Sequence, residues 1–87
     1  MDVTAEFTIE PFVEGTPGAH VIAALDAVRD AGLEPVIGPF GSSVTGEIGA
    51  VSAAVGRLIE AATAAGATTV SVQVTLCSRD GSGSCRR

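Results

Sequence analysis

Apolar and polar residues alternate in two segments of the chain, from Val3 to Phe12 and from Thr68 to Leu76. A period of two residues is typical of a strand with one buried face, so both segments are predicted to be strands. Pro11 has no N–H to donate to a ladder, and we expect the pairing of the first strand to loosen there. The positions predicted to face the core are Val3, Ala5, Phe7, Ile9, Val70, Val72 and Val74.

Two other segments repeat their apolar residues every three to four positions, which is the period of a helix. The first is predicted to begin at Thr16 as N-cap, with Pro17 in the first helical position, and to end at Gly32. The second is predicted from Glu47 to Ala65 and ends at Gly66. The two apolar stripes are Val21, Ile22, Leu25 and Val28 in the first helix, and Val51, Val55, Leu58, Ile59 and Ala62 in the second.

Between the helices lies a short apolar stretch interrupted by glycine and proline, which predicts a strand at 34–39, a turn at 40–42 and a short strand at 43–46. The resulting order, βαββαβ, predicts an α+β, ferredoxin-like sandwich with a four-stranded antiparallel sheet and two helices on one face. The 87 residues suffice for one domain, which we place at 1–76, followed by a flexible Gly/Ser-rich tail at 77–87.

The outward face of the first and last strands, which we expect to be the two central strands, is poor in charge. Only two of its seven side chains are charged, whereas a freely solvated face usually carries more. A domain of this size buries a small core and is helped by self-association. We therefore favour a homodimer or tetramer formed through this face over a simple solvated surface. The seven residues are Thr4, Glu6, Thr8, Glu10, Ser71, Gln73 and Thr75.

Composition and charge exclude several classes of partner. The net charge is −5 and all five basic residues are arginines, so a phosphate-binding patch for nucleic acid is not expected. No apolar run approaches the roughly 20 residues that span a bilayer, so no membrane partner is expected. The acidic, polar N-terminus does not resemble a signal peptide, and we expect a cytoplasmic protein.

Residues with possible chemistry are few. The spacing of Cys77 and Cys85 fits neither a redox nor a zinc motif, so we expect packing thiols, with a disulfide as the less favoured alternative. His20 has no neighbours that would form a catalytic relay, and it is predicted to lie on the surface of the first helix. The sequence contains no phosphate-loop or dinucleotide-binding motif. We therefore predict no enzyme activity, no cofactor and no metal site.

The segment 38–47, GPFGSSVTGE, combines an aromatic ring, three hydroxyls and a carboxylate with backbone groups that irregular pairing leaves free. Such a set could hold a small, flat, polar ligand, with Phe40 against the ring and Glu47 or Glu10 offsetting positive charge. The alternative is a hairpin of ordinary turn residues, which composition alone favours.

Several motifs together resemble the YkoF-like thiamine-binding protein family, in its small single-domain branch. They are the opening strand TAEFTIEP at 4–11, AGLE at 31–34, the hairpin at 38–47, and AAGA at 64–67 before VSVQV at 70–74. The resemblance covers about residues 3–76, and the hairpin is its most specific part.

This resemblance implies a ferredoxin-like fold, homodimers or tetramers formed through the sheets, and binding of thiamine or its hydroxymethylpyrimidine moiety without catalysis. The alternative function is a structural or regulatory self-associating domain that binds another small metabolite between protomers. Carried over by position, Ser42, Ser43 and Thr45 are expected to contact the pyrimidine, Phe40 to form a wall, and Thr8 and Glu10 to lie at the rim, with Glu47 as a further acidic group.

Overall fold

The computed structural model describes residues 1–11, 18–38 and 41–77. The described elements follow the order β1, α1, β2, β3, α2, β4, and the four strands form one antiparallel sheet in the order β2-β3-β1-β4. This arrangement confirms the predicted ferredoxin-like α+β fold. The elements are β1 (Asp2–Glu10), α1 (Ala19–Asp30), β2 (Val36–Gly38), β3 (Gly41–Glu47), α2 (Ile48–Ala64) and β4 (Thr69–Leu76).

The alternating pattern of β1 sets the core. Val3, Ala5, Phe7 and Ile9 are buried, while Glu6, Thr8 and Glu10 are exposed on the other face. Because side chains alternate across a strand, one face of β1 lies under the helices and the other remains open. The buried partners from the remaining elements are Ala24, Leu25, Val28, Val44, Val51, Ala54, Leu58 and Ala62.

Both helices end in the same way, as the two glycines predict. Gly32 and Gly66 adopt φ angles of +89° and +110°, a region that glycine enters at little steric cost. After each of them, the next N–H returns to a helical carbonyl: Leu33 N to Val28 O at 3.3 Å and Ala67 N to Ala62 O at 2.9 Å. These are Schellman motifs, and they turn the chain back toward the sheet after each helix.

The starts of the helices differ from each other. The N-cap of α1 is Gly18, whose carbonyl accepts from the N–H groups of Val21 and Ile22, so the prediction of Thr16 as N-cap is wrong. Pro17 lies outside the described residues. For α2 the N-cap is Glu47, and its carboxylate Oε2 accepts from Gly49 N at 2.7 Å.

Three sequence-based placements are corrected by the packing. The last strand, β4, is an edge strand, and the central strands are β1 and β3. Val74 lies at a helix-side position of β4 and is 48% exposed, because at the sheet edge the helices do not cover it. Ile59 is 41% exposed although it belongs to the apolar stripe of α2, and the smaller Ala54 is buried instead.

His20 is buried, not on the helix surface as predicted. Its side chain is only 7% exposed, and Nε2 lies 2.6 Å from the carbonyl oxygen of Pro11. Because a carbonyl oxygen only accepts, the imidazole donates from Nε2. The hydrogen bond ties the first turn of α1 to the residue that follows β1, which lets a polar ring lie in the interior.

Cys77 is disulfide-bonded, which differs from the expected free packing thiol. It directly follows β4, and its N–H donates to the carbonyl of Asp2 at 2.9 Å. The chain has one other cysteine, Cys85, which lies outside the described residues together with the rest of the predicted tail. No helix among the described residues is both long and apolar enough to span a membrane.

Candidate functional site

The strand register arranges the open face of the sheet in rows. One row crosses all four strands as Val36, Ser43, Glu6 and Gln73, which are register partners in turn. In the neighbouring row Gly38 pairs with Gly41 and Thr8 pairs with Ser71. A depression with a volume of about 420 Å³ lies over these two rows. Its size is in the range of about 300–1,000 Å³ that is usual for small-molecule sites.

The floor of the depression depends on residues without side chains. A Cβ on Gly41 would lie 2.9 Å from Cγ2 of Thr8 and 3.0 Å from the backbone oxygen of Phe7, so no larger residue fits there without movement. A Cβ on Gly38 would meet the Gly41 oxygen at 3.2 Å. Because the two glycines have no side chains, the surface between β2 and β3 is recessed there. The side chains of the row that contains Ser43 and Glu6 project beside this recess.

Polar groups of several kinds surround this floor. Glu6 supplies a carboxylate that can only accept when ionised, Gln73 supplies an amide with donors and an acceptor, and the hydroxyls of Thr8, Ser43 and Ser71 can do either. Val36, which is 65% exposed, adds an apolar edge. These polar side chains could pair with the hydrogen-bond donors and acceptors on the edge of a planar heterocycle, and Val36 could contact its ring.

The site residues predicted from the sequence fall into three groups. Thr8, Ser42 and Ser43 border the depression, although Ser42 occupies a register position opposite Phe7, on the helix-covered side of the sheet. Phe40 lies outside the described residues, so the predicted aromatic wall stays a prediction.

The remaining predicted residues lie apart from the depression. Thr45 is on the open face but one row beyond Ser43, and its hydroxyl is 2.8 Å from that of Thr4. Glu47 caps α2 through Gly49 N, as described above. Glu10 is the last residue of β1, and its register partner is Thr69. None of these three residues borders the depression.

Sequence reasoning placed three bordering residues, Glu6, Ser71 and Gln73, on an oligomer surface and did not count them in the ligand site. Alternation along each strand does assign them to the same face as Ser43. Which of them are neighbours depends on strand order and register, and these are set by pairing between strands that are distant in sequence. The sequence therefore predicts that these residues share a face of the sheet, but it does not predict that they are neighbours.

The described residues contain no group of three or more His, Cys, Asp or Glu side chains that could hold a metal ion. All side-chain oxygens and nitrogens that are fully buried within the described part of the chain have hydrogen-bond partners. The groups that are available to bind a ligand are thus the exposed polar side chains that surround the depression.

Comparison with solved structures supports the fold. A domain of unknown function, DUF77, from Bacillus cereus is 24% identical, with a TM-score of 0.66 over 94% of this chain and 80% of that one. A protein from Streptococcus pneumoniae is 20% identical, with a TM-score of 0.62 over 94% and 93%. A candidate thiamine biosynthesis or salvage protein from Thermotoga maritima is 20% identical, with a TM-score of 0.53 over 86% and 81%.

No curated protein is significantly similar to the chain. A family model described as thiamine-binding protein matches residues 5–86, which is nearly the full length and continues past the end of β4. The match includes the strand and hairpin motifs on which the resemblance rested. The chain therefore belongs to the thiamine-binding protein family.

Proposed function

We propose that the protein binds thiamine or its hydroxymethylpyrimidine moiety in the depression on the open sheet face, without catalysing a reaction. Membership of the thiamine-binding family supports the ligand class. The single observation that supports the location is the pairing of a glycine floor with a rim of a carboxylate, an amide and hydroxyls. An aminopyrimidine presents donors and acceptors in one plane, which such a rim can match.

Of the ligand contacts predicted from the sequence, we propose as direct contacts those that border the depression. Ser43 lies between Val36 and Glu6 in the row that crosses the sheet. This position supports the proposal that its hydroxyl bonds the pyrimidine edge. Thr8 and Ser42 border the same space, and Phe40 is proposed as a wall from the segment between β2 and β3. Thr45, Glu10 and Glu47 are proposed only as surrounding groups, because the depression does not reach them.

We further propose that a second copy of the chain covers the open side. A bound small molecule is usually 70–90% buried, and a depression on one sheet face leaves its outer side in water. A homodimer or tetramer formed through the sheet faces would exclude that water. Three of the exposed side chains at the depression, Thr8, Ser71 and Gln73, are uncharged, which lowers the free-energy cost of burying them.

Isothermal titration of the full chain with thiamine and with hydroxymethylpyrimidine tests the ligand. We expect saturable binding of at least one of them. Ser43→Ala should weaken it about three- to tenfold, because loss of one hydrogen bond is equivalent to about 0.5–1.5 kcal/mol. Ser52→Ala is the matched control: Ser52 is exposed on α2, in the helix layer on the other side of the sheet, so binding should be unchanged.

Absence of heat with both ligands would contradict the proposed function. If the protein then still formed a stable oligomer by light scattering, the alternative of a structural or regulatory self-associating domain would be favoured. Equal weakening by Ser43→Ala and Ser52→Ala would instead place the ligand elsewhere on the molecule.

A further inference from the structure

Among the ten described residues that border the depression, Glu6 is the one ionisable group. Its side chain is exposed, and its register partners on either side are Ser43 and Gln73, which carry no charge. The one charge that the described residues place at the rim is therefore the carboxylate of Glu6. Such a group attracts a cation or an amino donor and repels an anion.

The described arginines lie away from this rim. Arg29 Nη1 is 3.6 Å from Asp26 on α1, and its Nε is 4.0 Å from Glu34, so its charge is shared with two carboxylates. Arg57 lies on α2. Both helices cover the opposite face of the sheet, and the sequence contains no lysine. The other arginines, at 79, 86 and 87, lie outside the described residues.

A phosphate ester needs positive partners or an array of free N–H groups to offset its charge. Around the depression, the described residues supply hydroxyls and an amide but neither a guanidinium nor a helix N-terminus. A phosphoryl group carried on the ligand would therefore meet the charge of Glu6, and none of the described residues at the depression would compensate it. The penalty is electrostatic, so it depends on ionic strength.

We infer that Glu6 makes this depression selective for the unphosphorylated, cationic form of its ligand and against the phosphate esters. The inference rests on the proposed function and deepens it by naming the form of the ligand and the residue that selects it. Glu6 acts through charge at the rim, and Ser43 and Gln73 supply the hydrogen bonds that hold the ring.

The test is titration of the full-length chain with thiamine, thiamine monophosphate and thiamine diphosphate at low and high salt. At low salt thiamine should bind about two- to thirtyfold more tightly than the monophosphate. Exposed charge pairs are typically equivalent to about 0.2–1 kcal/mol, and here an attraction is replaced by a repulsion of similar size. Glu6→Gln should weaken thiamine binding and improve monophosphate binding, so that the ratio approaches one. Raising the salt concentration should reduce the preference of the wild type but not that of the variant.

Glu60→Gln is the matched control, since it removes the same charge from an exposed position on α2. It should leave the ratio of affinities at its wild-type value, which separates the local effect of Glu6 from a change in net charge. If thiamine binds but the phosphate esters bind equally well or more tightly, the inference is wrong while the proposed function stands. If neither thiamine nor hydroxymethylpyrimidine binds, the proposed function itself fails.

Discussion

The two faces of the sheet are built from the same strands and differ in what each face can do. On the helix-covered face, Val3, Ala5 and Phe7 of β1 are buried against Leu58 and Val44. On the open face, Glu6 and Thr8 stand between serines and an amide and remain exposed. The first face is specified by volume and apolarity, and the second by the positions of single polar groups. Stability and recognition can therefore be changed separately in this domain.

Leu58→Ala should have the largest effect on the covered face. Leu58 is fully buried in α2, and removing a buried leucine side chain typically lowers the free energy of unfolding by about 2–5 kcal/mol. The neighbouring Ile59, at 41% exposed, is the matched control, and Ile59→Ala should lower it by less than about 1 kcal/mol. Denaturant unfolding at a single protein concentration measures both, and equal losses would show that α2 packs through a different stripe.

Gly41→Ala tests a position where both faces are involved. The added Cβ would meet Cγ2 of Thr8 and the backbone oxygen of Phe7 at about 3 Å, so strain should lower the free energy of unfolding by about 1–3 kcal/mol. It would also raise the floor of the depression and weaken thiamine binding. Gly56→Ala is the control, because a Cβ on this helical glycine would meet nothing within 4 Å. Alanine favours the helix, so the free energy of unfolding should rise by about 0.5–1 kcal/mol.

A stable Gly41→Ala variant that binds thiamine normally would contradict the proposed position of the ligand. Loss of stability with normal binding per folded molecule would contradict it as well, since the floor would then not touch the ligand. Comparing the binding stoichiometry with the folded fraction separates these outcomes from simple unfolding.

Gln73→Lys should have the smallest effect on the fold of the single chain, within about 0.5 kcal/mol, because Gln73 is an exposed residue of an edge strand. Its expected effect is on assembly: burying a lysine ammonium between two sheet faces removes both it and the neighbouring Glu6 carboxylate from water, and this desolvation cost should dissociate the oligomer. Sedimentation velocity over a range of concentrations measures this, with Ser52→Lys on α2 as control. An unchanged oligomer in Gln73→Lys, and in the double variant with Thr8→Lys, would show that the open face is not the interface.

Local patterns were sufficient to predict most of the elements. The alternation in residues 3–9 and 70–76 predicted β1 and β4, and the glycines at 32 and 66 marked the helix ends, each two residues after the last helical residue. The start of α1 was placed too early, since Thr16-Pro17 and Gly18 are both acceptable starts and only packing chooses between them. His20 was misplaced for a related reason: its hydrogen bond to Pro11 joins two elements that the sequence shows only separately.

The candidate site was predicted only in part. Ser43 and Thr8, both expected at the site, border the depression, whereas Glu6 and Gln73 were assigned to the same face without being recognised as their neighbours. Glu47 was expected at the ligand, and the structure uses its carboxylate to cap α2. A carboxylate at the start of a helix can cap the helix or bind a ligand, and nothing in the sequence distinguishes the two roles.

The sequence by itself determined which residues lie on each face of each strand, because that depends only on the alternation of side chains along an extended backbone. It also determined where the helices end, since glycine is the residue that enters the positive-φ region most easily. Only the tertiary structure decided that Val36, Ser43, Glu6 and Gln73 form one row and that Gly38 and Gly41 make the floor beside it. The order and register of four strands result from contacts between segments far apart in the chain, and no local pattern records them.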